Sequence, residues 1–134
     1  MDIALCVLDT NTNILSYSGV KNPLHIISGG DLRELPAQNL TEGCEDSDDC
    51  RFRADTVSLG SGDSVYLGSD GFADQFGGNS HKKYQSGRFK DLLLAIQSLP
   101  MPEQSDRLYE EFERWRSVNN EDQTDDILVL GIRI

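Results

Sequence analysis

Apolar positions in this chain change their spacing about two thirds of the way along. Up to residue 68 they come in short runs with the period of a strand. "IALCVL" is followed by the turn signal "TNTN", then by "ILSYSG", "PLHIIS", the turn "GGD" and "LRELP". These segments predict a meander of short antiparallel strands. "FRADTVSL" resumes the pattern, with Phe52, Ala54, Val57 and Leu59 expected on inward faces after a shift in register. "GSGD" supplies another turn and "SVYLGS" another strand, and "GGNSHKKYQSG" reads as a polar, glycine-rich linker.

From residue 86 the period becomes helical. In "SGRFKDLLLAIQSLP", Phe89, Leu92, Leu93 and Ile96 form one stripe, with Ser86 as a cap and Pro100 as the stop. In "MPEQSDRLYEEFERWRS", Pro102 opens a second helix, and Leu108, Phe112 and Trp115 share a face. The β-branched "DDILVLGIRI" closes the chain as a strand that returns to the sheet. The fold class expected is α+β, with mostly antiparallel sheet and two C-terminal helices. Its 134 residues fit one domain, residues 1–134.

Charge narrows the function. Twelve Lys and Arg against 23 Asp and Glu leave a net charge of -11. A surface that acidic repels phosphate backbones and anionic lipid, so nucleic-acid partners and membrane insertion are not expected. Clustered carboxylates still suit divalent cations. The run "IALCVL" is too short for a signal or spanning segment, and the expected location is cytoplasmic. Cys6, Cys44 and Cys50 do not form a disulfide framework. Cys44 and Cys50 flank the acidic "CEDSDDC", which reads as a solvated loop rather than a zinc or thiol site. Asp9, Asn11 and Asn13 imitate the start of a calcium loop, but Ile14 and Val20 stand where Gly and Glu are needed. His25 has no partner at ligand spacing and reads as a strand residue.

The candidate chemistry lies at two strand ends. "YLGSDGFADQFGG" brings a strand to Ser69-Asp70-Gly71, with Asp74 four residues beyond Asp70, and Asp125-Asp126 precede the last strand. If the two strands are antiparallel neighbours, these carboxylates meet at one rim of the sheet. Magnesium or manganese would accept such hard oxygen ligands. Gly71 would allow close approach to the backbone, and Asp74 could support the cluster. Turns also carry aspartate for its backbone tolerance alone, so the residues by themselves leave both readings open.

"LGSGDSVYLGSDGFADQFGG", "KKY", "RFKDLLLAI", "FERWR" and "QTDDILVLGIRI", with "MDIALCVLD" and "YSGVKNPLHII" before them, resemble the C-terminal half of a PPM-type phosphatase domain. The branch most similar is that of the bacterial SpoIIE-like serine/threonine phosphatases. The resemblance implies an α-β-β-α sandwich, of which this chain is a partial domain. It also implies two Mg2+ or Mn2+ ions in the complete domain and a metal-activated water that attacks a phosphoserine or phosphothreonine. Carried over by position, Asp70 and Asp125 match metal ligands, Asp74 an additional weaker position, and Asp126 a supporting partner. Implied partners are a phosphoprotein substrate such as an anti-sigma-factor antagonist, and upstream sensory or signalling domains.

The chain lacks the family's earlier metal aspartate and its Asp-Gly-His-like segment. The expectation is therefore a piece of a longer phosphatase that hydrolyses phosphoesters poorly on its own and exposes apolar sheet surface open to homodimerisation. The alternatives are a non-catalytic interaction module of the same fold, or an unrelated β-rich ligand-binding domain whose acids are only turn residues.

Overall fold

The alternating runs form two packed antiparallel sheets in a computed structural model that describes residues 3–39 and 52–134. In chain order the elements are β1 (Ile3–Asp9), β2 (Ile14–Val20), β3 (Leu24–Ser28), β4 (Asp31–Leu35), β5 (Asp55–Ser58) and β6 (Ser64–Gly68). There follow α1 (Gly71–Asp74), β7 (Phe76–Gly77), β8 (Lys82–Lys83), α2 (Ser86–Ile96), α3 (Met101–Ser117) and β9 (Val129–Arg133). One sheet has the order β1-β2-β5, the second β4-β3-β6-β9, and β7 and β8 form a small hairpin.

The expected meander is instead two hairpins in different sheets. β1 and β2 pair around a turn in which Asp9 Oδ1 accepts the Asn11 N–H at 2.9 Å, which is the turn role read from the sequence. The chain then leaves the first sheet. Lys21 takes a φ of 66°, and the buried Tyr17 hydroxyl donates to the Asn22 carbonyl at 2.6 Å. This corner redirects β3 into the second sheet, where it pairs with β4 and β6. Phe52 and Ala54 also depart from expectation, since both are exposed, Phe52 at 65%. β5 pairs with β2 only from Asp55 onward, so Val57 and Leu59 face the core and Phe52 pairs with no strand among the described residues.

Two apolar layers result. Leu15, Tyr17, Leu24, Ile26, Val57 and Val65 fill the space between the sheets. On the other face of the second sheet, Ile27 and Tyr66 pack against Phe72, Phe89, Leu93, Phe112 and Trp115. The helical stripes read from the sequence thus cover one side of a β-β pair. Alternation lets one strand serve both layers, as Ile26 and Ile27 do in β3. The α2–α3 corner is tied to the sheet by buried Gln104. Its Oε1 accepts the Tyr66 hydroxyl at 2.7 Å, and its Nε2 donates to the Leu99 carbonyl at 2.9 Å.

Ser86 begins α2 rather than capping it. Gln85 holds the N-cap position, with φ 76° and no side-chain capping bond. Cys6 is half-buried in β1, and burial pushes its thiol pKa up, in keeping with a core residue. The segment read as an acidic loop between Cys44 and Cys50 lies outside the described residues. No described helix is long and apolar enough to cross a membrane.

Candidate functional site

β6 and β9 are antiparallel neighbours, with Gly68 opposite Val129 and Ser64 opposite Arg133. Pairing continues past the strand ends, where the Ser69 N–H donates to the Leu128 carbonyl at 2.9 Å. Ser69 Oγ then donates to the Asp126 carbonyl at 2.9 Å and accepts the Leu128 N–H at 3.1 Å. The Ser-Asp-Gly turn therefore lies against the Asp125-Asp126 segment. A Cβ on Gly71 would lie 2.4 Å from the Asp126 carbonyl oxygen, so the close approach that Gly71 permits is that of its own chain. Asp70 precedes α1 with an exposed side chain that makes no capping bond. Asp125 and Asp126 are exposed as well, and Asp125 Oδ1 accepts the Asp126 N–H at 2.7 Å.

Gln75 had no signal in the sequence that set it apart from a turn residue. It is completely buried. Its Nε2 donates to the Phe76 and Asp122 carbonyls at 3.0 and 2.9 Å, and its Oε1 accepts the Thr124 N–H at 2.9 Å. Its own carbonyl accepts Trp115 Nε1–H at 3.1 Å. One side chain thus anchors the loop that delivers Asp125. The Gly77-Gly78 pair makes room for Trp115. A Cβ on Gly77 would lie 2.3 Å from the Trp115 carbonyl oxygen, and one on Gly78 would lie 2.5 Å from the indole ring.

Asp70 and Asp74 line a cleft of about 640 Å3 that also receives Lys83, His25, Glu34 and Lys90. Lys83 Nζ contacts Asp74 Oδ2 at 2.8 Å, and Lys90 Nζ contacts Glu34 Oε2 at 2.6 Å. His25 sits edge-on to Phe89, and burial is the main reason its pKa falls below the ordinary 6.5. Nearby Glu34 opposes that shift and Lys90 adds to it. Asp125 and Asp126 do not line this cleft; their connection to Asp70 runs through Ser69 and Gly71.

The residues suit a hard divalent cation in kind, since Asp70 and Asp125 offer exposed carboxylate oxygens at adjoining strand ends. They do not complete a site in number. Among the described residues, no group of three or more His, Cys, Asp or Glu could hold a metal ion.

Comparison with known proteins agrees with this architecture. The SiaA-PP2C domain of Pseudomonas aeruginosa superposes with a TM-score of 0.87 at 29% identity, over 99% of this chain and 51% of that one. The phosphatase domain of the cell fate determinant SpoIIE from Bacillus subtilis, presoaked with Mn, gives 0.68 at 23% identity, over 100% and 56%. The RsbU and RsbW domains of a Mycobacterium tuberculosis protein give 0.67 at 20% identity, over 98% and 35%. No curated protein sequence matches the chain. The chain spans about half the length of the first two solved structures. The family description Stage II sporulation protein E (SpoIIE) matches residues 1–134, and the chain therefore belongs to the SpoIIE family of PPM-type domains.

Proposed function

We propose that this chain is the C-terminal half of a protein serine/threonine phosphatase domain, and that the complete domain hydrolyses phosphoserine or phosphothreonine in a signalling protein. One observation carries the reading. The β6–β9 pairing, extended by Ser69, seats the Ser-Asp-Gly turn against the Asp125-Asp126 segment. Family membership then gives these acids a chemical purpose.

Asp70 and Asp125 would hold Mg2+ or Mn2+, with Asp74 and Asp126 as supporting positions. When bound, such an ion would lower the pKa of its water towards about 7 and stabilise charge on phosphoryl oxygens. The chain's own residues set the geometry. Ser69 fixes the turn against the Asp126 carbonyl, and Gln75 holds the loop at Asp122 and Thr124. Lys83 restrains Asp74 beside the cleft. Two carboxylates are too few for a metal pair, so the 134 residues alone should bind metal weakly and hydrolyse phosphoesters poorly. The substrate class implied by the family resemblance is a phosphorylated anti-sigma-factor antagonist.

The test is phosphopeptide hydrolysis by the parent protein in millimolar manganese. Asp70→Ala and Asp125→Ala should each lower kcat by at least about a hundredfold, the scale on which metal sites respond to lost ligands or their partners. Undiminished turnover in either variant would overturn the assignment. The inactivity of the isolated chain fails if it cleaves p-nitrophenyl phosphate and Asp70→Ala abolishes that cleavage.

A further inference from the structure

Asp70 and Asp74 stand one turn apart along α1, where the Asp74 N–H donates to the Asp70 carbonyl at 2.9 Å. Asp70 already has helical backbone angles, and positions i and i+4 share one helix face. Both residues line the cleft described above. Like charges at that spacing repel, so the pair favours a cation between or beside them. Lys83 supplies one. It lines the same cleft, and its Nζ donates to Asp74 Oδ2 at 2.8 Å.

Both side chains of this ion pair are nearly half exposed, so the contact by itself is weak. The backbone beneath Lys83 is what sets it apart. Lys83 pairs with Phe76 across the β7–β8 hairpin. The next two residues are tied to the segment that carries Asp74. The Tyr84 N–H donates to the Gln75 carbonyl at 2.9 Å, and the Gln85 N–H to the Ala73 carbonyl at 2.7 Å. Tyr84 is itself buried, with edge-on ring contacts to Phe72 and Trp115. The lysine stem therefore starts from a fixed point beside Asp74, with little backbone entropy left to lose. Mg2+ sheds its water reluctantly and needs more than a single carboxylate to hold it well. A tethered ammonium is an effective rival for such a place.

We infer that Lys83 is a built-in counter-cation of the carboxylate rim. Its ammonium takes the place at Asp74 that a further divalent ion would otherwise fill. The complete domain then depends on ions at Asp70 and Asp125, and the additional positive charge comes from the chain itself. The inference rests on the metal reading of those two acids. Lys83 is a positioning residue here, acting through Asp74 rather than on the substrate.

The test follows the side-chain carboxyl 13C resonances of Asp70, Asp74 and Asp125 as Mg2+ is added to the 134-residue chain at constant neutral pH. Mg2+ is diamagnetic, so each resonance reports its own carboxylate. In Lys83→Met, the Asp74 resonance should reach half its shift at about two- to fivefold less Mg2+ than in wild type, the scale of an exposed ion pair. Lys83→Arg, which keeps the cation, should restore the wild-type midpoint. Lys82→Met removes the same charge one residue away and should leave that midpoint in place. Equal Asp74 midpoints in wild type and Lys83→Met overturn the inference. So does an equal change from Lys82→Met, which would make the effect one of net charge, or an Asp74 resonance that Mg2+ moves in none of the variants. Asp70 and Asp125 resonances that ignore Mg2+ would sink the metal reading instead, and they are read separately from Asp74.

Discussion

Ser69 Oγ donates to the Asp126 carbonyl at 2.9 Å, across 57 residues of sequence. The same oxygen accepts the Leu128 N–H, so one hydroxyl locks the end of β6 to the approach of β9. This lock is exposed to water, and Ser69→Ala should cost about 1 kcal/mol. Gly71→Ala should cost more, about 2–3 kcal/mol, because its Cβ position lies 2.4 Å from a backbone oxygen that cannot swing aside. Urea unfolding of the two variants orders them, and amide exchange at Leu128 reads the local opening. Equal costs would mean that the close backbone packing at Gly71 is not what holds this join.

Gln75 carries more stability than its place in a turn suggests. Gln75→Leu keeps roughly the side-chain volume but strands the Phe76 and Asp122 carbonyls and the Thr124 N–H. Unsatisfied buried groups cost about 1–3 kcal/mol each, and partial hydration of the loop should hold the total to about 2–4 kcal/mol. Chemical denaturation gives the magnitude. Loss of ordered resonances over residues 122–126, with α3 unchanged, would show that the effect is the anchoring of the Asp125 loop.

His25 should make stability fall in mild acid. Its folded pKa lies below the ordinary 6.5 because burial disfavours the charged ring. Between the folded and unfolded pKa values the unfolded chain binds more protons, so stability rises with pH. The contribution is complete above about pH 7, declines as pH drops through about 6.5, and levels off below the folded pKa. His25→Gln should flatten the dependence of melting temperature on pH between about 7 and 5. An unchanged slope would assign that region to the carboxylates instead.

Periodicity in the sequence was enough to find the helical faces and the two strand ends that carry the acids, whereas the layered sandwich came from the family resemblance. The Phe89, Leu93 and Ile96 stripe and the Phe112–Trp115 face are buried as their spacing implied. The strand ending at Asp70 does run antiparallel to the one following Asp126. What could not be read depends on partners distant in sequence. Period two says that a strand is half-buried, not which sheet it joins, and the corner at Tyr17 and Asn22 decides that for β3. Phe52 looks like a core residue until the β2–β5 pairing is seen to stop at Asp55. Gln75 resembles a loop residue because its bonding partners lie 47 and 49 residues away.

β1 illustrates the same point and supports the last prediction. "IALCVL" is apolar on both faces, so alternation could not orient it. Ala4, Cys6 and Leu8 pack between the sheets, whereas Ile3, Leu5 and Val7 face outward at 43%, 62% and 60% exposure, with Ile14 at 44% on the neighbouring strand. The helices cover the far side of the second sheet, so this face of the first carries an apolar stripe on an edge strand. At about half the length of the domains it matches, the chain should self-associate through that stripe. Leu5→Lys with Val7→Lys should lower the scattering mass towards a monomer. Since Cys6 and Leu8 keep their packing, stability should change by no more than about 0.5 kcal/mol per site. A monomeric wild-type chain that fails to enhance the fluorescence of a hydrophobic dye would show that the stripe is covered from within.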